Sequence, residues 1–140
     1  MPSIRRRRRK RIRYKNEHLT GVYLEKLLGF VPKKQFYIRK PIVVNNETIK
    51  KYIICDFYFK LPNNVQCIVE YNGTQHYTAK KYKTRWRQKI ADENFRKQVI
   101  RDKWLETYCY DNDIVLISID GRKYTGPKIL AYLKDLVTYL

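Results

Sequence analysis

Three apolar, strand-like runs stand ahead of one long amphipathic helix, and a buried strand and a second amphipathic helix follow it. That order, α-β-β-β-α-β-α once a short first helix is included, predicts an α/β protein with a mixed sheet flanked by helices. With 140 residues, 44% of them apolar, the chain suffices for one cored domain and is too short for two. Its net charge of +18 speaks to partners, favouring phosphate polyanions or anionic surfaces, and says little about fold.

The elements follow in order. Residues 1–15 form a basic arm in which Arg5, Arg6, Arg7, Arg8, Arg9, Lys10, Arg11, Arg13 and Lys15 stand without an acid. Charges this dense repel, so the arm is expected to be disordered alone and to order against nucleic acid. The domain proper, residues 16–140, opens with a helix capped by Asn16, striped by Leu19, Tyr23 and Leu27 and ended by Gly29. The strands are QFYIR, KYIICDFYFKL and VQCIVEYN. After the basic stretch AKKYKTRWRQK, a helix is expected from Ala91 to Tyr110, then the strand DIVLISI. A last helix begins near Gly126-Pro127 and puts Ile129, Leu133, Leu136, Val137 and Leu140 on one face.

Several classes drop out. No apolar run approaches a membrane span, since the most apolar stretch, YIICDFYF, is short and interrupted by Asp56. The basic N-terminus leads into no apolar segment of a secretory signal, so the protein is not expected to be secreted. Cys55, Cys67 and Cys109 lack metal-ligand spacing and are expected to be reduced thiols in an intracellular compartment.

Chemistry concentrates around one hairpin. If Pro62-Asn63-Asn64 is a three-residue loop, Leu61 pairs with Val65, and in that register Asp56 faces Glu70. Their Cβ atoms would lie roughly 4.5–5.5 Å apart. Two such carboxylates repel unless a proton or cation sits between them, and a divalent ion with oxygen ligands such as Mg²⁺ satisfies both. The alternative is one acid solvated at the strand end and the other paired with Lys60. Asp56 also has apolar neighbours on both faces, Ile53, Ile54, Phe57 and Phe59, so its strand reads as central and the acid needs a partner.

Just beyond, Asn72 shares Glu70's face, and Gly73 is suited to a turn with positive φ. Gln75 and His76 follow, the histidine able to act as acid or base near neutral pH or, alternatively, to bond a backbone carbonyl. On the long helix Asp102 falls inside the apolar stripe of Phe95, Val99, Leu105 and Cys109. Either it bonds a buried donor, such as a strand-end amide or His76, or the helix starts later. Lys80, Lys81, Lys83, Arg85, Arg87 and Lys89 interleave with Tyr77, Tyr82 and Trp86, a pattern of cations for phosphates and rings for stacking. A solvated helix face is the plainer alternative.

The pieces DFYF, IVEYNG, QHY and RDKWLETYCYDNDIVLISI, in that order, resemble the PD-(D/E)XK nuclease superfamily. The nearer likeness is to its compact branch of very-short-patch repair endonucleases and phage- or giant-virus homing-type enzymes. The resemblance spans residues 51–119 and implies a restriction-endonuclease-like fold. It implies Asp56 and Glu70 as metal carboxylates, Gln75 and His76 completing the site, Asp102 as the acid of the later helix, and Glu25 as the acid some members carry on the first helix. Asn72 departs from the pattern where relatives carry Lys or Asp, and Leu105 where they often carry Lys.

The function expected is a Mg²⁺- or Mn²⁺-dependent DNA endonuclease, a hydrolase of phosphodiester bonds from a virus or mobile element. Asp56 and Glu70 would hold the ion, and Trp86 with the bases of residues 80–89 and the arm would hold DNA. Two alternatives stay open: a catalytically inactive nuclease-fold protein for DNA binding, packaging or the virion, and an RNA-binding structural protein of ribosomal type. The expected partner is nucleic acid, with DNA preferred. A homodimer is compatible and a membrane is not expected; the setting is host cytoplasm, nucleus or virion.

Overall fold

The computed structural model describes the backbone of residues 4–140 and the side chains of residues 15–140. In chain order the elements are α1 (Ile4–Leu28), β1 (Lys33–Ile38), β2 (Ile42–Val44), β3 (Glu47–Lys50), β4 (Ile53–Lys60) and β5 (Gln66–Asn72). A 3₁₀ turn (Thr74–His76), α2 (Arg85–Asp111), β6 (Ile114–Asp120) and α3 (Pro127–Thr138) complete the chain. The α/β architecture, a mixed sheet flanked by three helices, is the one expected.

Four strands form the sheet in the order β1-β4-β5-β6. The first two ladders are antiparallel; β6 returns parallel to β5 after α2 crosses over, as a parallel connection requires. Helices α1 and α3 cover one face, where Leu24, Ile129 and Leu133 meet Phe57, Val69 and Ile119. Helix α2 covers the other, where Leu105 and Cys109 meet Cys55 and Ile68. All three cysteines are buried and free. Among the described residues no helix is long and apolar enough to cross a membrane.

Four expectations need correction. Helix α1 starts well before Asn16, because Arg and Lys are good helix formers and give no stop signal. Asn16 is therefore buried within the helix, where its Oδ1 accepts from Gly126 N at 3.1 Å and ties α1 to the start of α3. Helix α2 starts at Arg85 instead of Ala91, capped by Thr84 Oγ1, which accepts from Arg87 N at 3.4 Å. The β2–β3 hairpin was not expected at all; Asn45 and Asn46 take φ of 49° and 64°, as a tight two-residue turn demands. The backbone of Arg5 to Arg13 is helical where disorder was expected, and the nucleic-acid contacts expected of these residues lie outside the described side chains.

The β4–β5 hairpin has the expected register. Leu61 N donates to Val65 O and Asn64 N to Leu61 O, both at 2.9 Å, and Asn64 closes the loop with φ of 68°. Phe57 pairs with Val69 and Lys60 with Gln66, so Asp56 stands one step beyond, opposite Glu70. Its neighbours are apolar on both sides because β4 changes face there. Ile53 and Cys55 belong to the core under α2, whereas Phe57 and Phe59 belong to the core under α1 and α3. On the other flank β1 makes the matching adjustment: Lys34 pairs with Phe57 and Phe36 with Cys55, while Gln35 between them takes φ of 54°. Asp56 thus sits where the strand turns over, accessible from both layers.

Candidate active site

A small polar pocket opens at this point, lined by Glu17, Asp56, Glu70, His76, Gln98 and Arg101 together with Ile54 and Tyr71. The sheet supplies two acids, α1 supplies a third in Glu17, and α2 supplies Gln98 and Arg101. Asp56 Oδ2 accepts from Tyr71 N at 2.8 Å across the hairpin. From the other side of the sheet, Glu17 on α1 lines the same pocket, its carboxyl close enough to that of Asp56 to raise it. Burial, then the neighbouring Glu17 carboxyl, pushes Asp56 up to about 7.

Glu17 gets there through a packing device. Gly21, one turn further along α1, lies against β4 so closely that a Cβ there would stand 2.8 Å from Phe57 Cε1. Only glycine permits that approach. The buried face of α1 runs through Thr20, Gly21 and Leu24, and Glu17 prolongs it over Asp56. Glu25, the acid expected from the first helix, is exposed and lines none of the pocket. The expected stripe of Leu19, Tyr23 and Leu27 is only half-buried, and the small residues Thr20 and Gly21 beside it make the close contact.

Glu70 is held differently. Its side chain is only 5% exposed, and both oxygens accept from the Arg101 guanidinium at 2.7 Å. Arg101 also donates to Ile54 O at 3.0 Å and to Asp102 Oδ1 at 3.2 Å. Burial alone would lower the arginine's pKa, but the bonds and charge of Glu70 outweigh it and the net shift is upward. Such a planar, bidentate pair is the form of ion pair best suited to a buried site.

His76 stands at 11% side-chain exposure, with Nδ1 3.0 Å from Asp102 Oδ2 and 3.1 Å from Gln98 Nε2. Gln98 Nε2 also donates to Asp102 Oδ1 at 2.9 Å. Two donors cannot share a hydrogen bond, so the tautomer that satisfies the cluster carries its proton on Nδ1 and gives it to Asp102. That leaves Nε2 as a proton acceptor. Burial would raise the Asp102 carboxyl, but the bond to His76 outweighs it and the net shift is downward. The expected link from Asp102 to His76 is therefore present in the geometry.

Gln75 is not in this pocket. Its side chain folds over Gly73 and lines the cleft next door, and Gln98 provides the amide instead. Gly73 itself has φ of −71°, so the positive φ expected of it is not used; the following 3₁₀ turn reverses the chain. Asn72 is buried, with Oδ1 lacking a hydrogen-bond partner. Of the rings in the basic stretch, Trp86 and Tyr82 are open to solvent at 70% and 40% exposure. Tyr77 is covered: the Arg122 guanidinium lies 3.6 Å from its ring centre.

Among the described residues, no three His, Cys, Asp or Glu side chains are gathered to hold an ion. The donors nevertheless fit a hard cation in kind. Asp56 and Glu17 are paired carboxyls, buried enough that Asp56 keeps a proton near neutrality, and a divalent ion can take that proton's place. Glu70 has its oxygens turned to Arg101.

No protein-family model matches this chain, and neither a curated protein nor a solved structure matches it.

Proposed function

We propose that this protein is a divalent-metal-dependent nuclease acting on DNA, with the Glu17–Asp56–Glu70 pocket as its centre. The observation that carries the reading is the carboxyl pair itself. Asp56, raised to about 7 by burial and by Glu17, is an acid placed where its charge is costly unless a cation accompanies it. Asp56 and Glu17 would hold Mg²⁺ or Mn²⁺, with Glu70 beside them. When bound, the ion supplies positive charge that polarises a phosphate and favours deprotonation of water.

The chain's own residues supply the rest. His76 offers Nε2 as base, and Asp102 fixes its tautomer and orientation through Nδ1. Arg101 brings a fixed positive charge to the pocket wall, suited to the charge that develops on a phosphate in transfer. Lys80, Lys81, Lys83, Arg85, Arg87 and Lys89 stand exposed or nearly so along the approach and neutralise the nucleic-acid backbone.

The second reading, a nuclease-like fold that binds DNA without cutting it, is favoured by one feature. Arg101 already provides Glu70 with a cation at 2.7 Å, the role an ion would otherwise fill.

The test is cleavage of supercoiled, linear and single-stranded DNA with Mg²⁺ or Mn²⁺ and with EDTA. Metal-dependent cleavage that is lost in Asp56→Asn and Glu17→Gln is expected. Asp102→Asn should slow it by roughly 10²–10⁴-fold with its fold intact. Tight DNA binding with no cleavage on any substrate would favour the second reading.

A further inference from the structure

Beside the carboxylate pocket lies a second, larger cleft of about 460 Å³, between the loop after β5 and the projecting half of α2. That volume is within the roughly 300–1,000 Å³ range of clefts that hold small ligands. We propose that it receives a single unstacked nucleobase, so that this protein prefers nucleic acid carrying an unpaired or extruded nucleotide.

The cleft is built and braced. Gln88 clamps its outer loop to α2: Oε1 accepts from Tyr82 N at 2.7 Å and Nε2 donates to Lys80 O at 3.0 Å. The lining then divides by chemistry. Phe95, Tyr82 and Ile90 give flat or apolar surface of the kind on which bases stack. Gln75, Asn94 and Gln98 give amides, the side chains that read base edges through paired donors and acceptors. Lys80 and Arg87 supply charge for the attached phosphates.

One atom asks for a ligand. Gln75 Nε2 is buried and has no hydrogen-bond partner. A buried donor left in that state is costly, and once the Gln75 side chain turns from Gly73 into the cleft it lines, a carbonyl or ring nitrogen on a base edge would satisfy it. Bases stacked inside a duplex cannot reach such a cleft; an extruded or unpaired one can. Gln98 lines both this cleft and the carboxylate pocket, and Gln75 precedes His76 in the chain. A base seated here therefore brings its own phosphodiester next to His76.

The proposal rests on the nucleic-acid reading of the site but not on catalysis, so binding is measured in EDTA. Three labelled duplexes are compared: fully paired, with one bulged nucleotide, and with an abasic residue at the bulge. The bulged duplex should bind roughly tenfold more tightly than the paired one, the difference that one stacked base supplies. The abasic bulge should lose that preference, which separates the base from mere backbone distortion. Phe95→Ala and, as a variant that fills the cleft without removing a contact, Ala91→Phe should abolish the preference and leave paired-duplex affinity unchanged. Equal binding of all three duplexes, or a preference that survives in folded Ala91→Phe, would overturn the proposal. A protein that cleaves DNA but shows no base preference fails only here; one that prefers the bulge but never cleaves fails only as a nuclease.

Discussion

The two halves of α2 behave as different structures. From Gln98 to Cys109 the helix lies on the sheet: Leu105 and Cys109 enter the core, while Asp102 is bonded to Gln98, Arg101 and His76, and Arg101 to Glu70. From Arg85 to Asn94 it projects, with Trp86, Arg87 and Lys89 open to solvent and the Gln88 clamp and Thr84 cap securing the loop beside it. The ion pair that Arg96, just beyond this half, makes with Glu93 and Glu47 is surface-exposed, a kind that contributes little. On the function proposed above, the difference would separate two tasks. Charges that act on a reacting group would be fixed by burial and neighbours, and charges that meet a polymer of variable shape left free.

If that division holds, damage to the packed half should register as lost stability. The largest effect is expected for Glu70→Ala, which leaves Arg101 at 11% exposure without its bidentate partner and with Asp102 Oδ1 at 3.2 Å as its remaining acid. Breaking a buried pair from one side costs about 3–5 kcal/mol, measurable by urea unfolding, and replacing both partners with Met should recover most of it.

Next comes pH. Asp56 has a folded pKa of about 7 against an ordinary value of 3.8, so the native state holds its proton more tightly than the unfolded one. Its contribution to stability is complete below about pH 4 and is lost as pH rises to about 7, a decline on the order of a few kcal/mol. Thermal melts across that range should show the decline in the wild type and not in Asp56→Asn. A wild-type curve parallel to the variant's would refute the carboxyl pair.

Gly21→Ala tests the contact that positions Glu17. The added methyl meets Phe57 at 2.8 Å and should cost about 1–3 kcal/mol in unfolding experiments, with Asp56 titrating closer to its ordinary value as Glu17 moves away. The smallest effect belongs to the projecting region. Lys81→Ala or Lys83→Ala should change stability by less than about 0.5 kcal/mol. Each should also reduce the slope of log affinity against log salt for duplex DNA by about 0.9.

Much of the frame was readable from residue patterns because it rests on short-range rules. Pro62-Asn63-Asn64 set a hairpin loop, the loop set the register, and the register set Asp56 opposite Glu70. Asp102 stood out because a charge inside an apolar stripe needs a partner, and His76 is that partner. What escaped depends on how layers meet. Glu17 owes its place to Gly21 and Phe57, residues from elements 36 positions apart whose contact no local pattern announces. Arg101 looked like one more base in a basic chain, and only the crossover of α2 turns it onto Glu70. The β2–β3 hairpin was missed because its strands are short, although Asn45-Asn46 was a legible turn signal.

The most direct test of the carboxylate centre is a calorimetric Mg²⁺ titration without DNA at pH 6, repeated in buffers of different ionisation heat. If Asp56 and Glu17 hold the ion, binding must expel the proton they retain, and about one proton should be released per ion. Asp56→Asn should release none. Binding with no proton release, or no binding in the wild type at millimolar Mg²⁺, would contradict a metal centre at this pair.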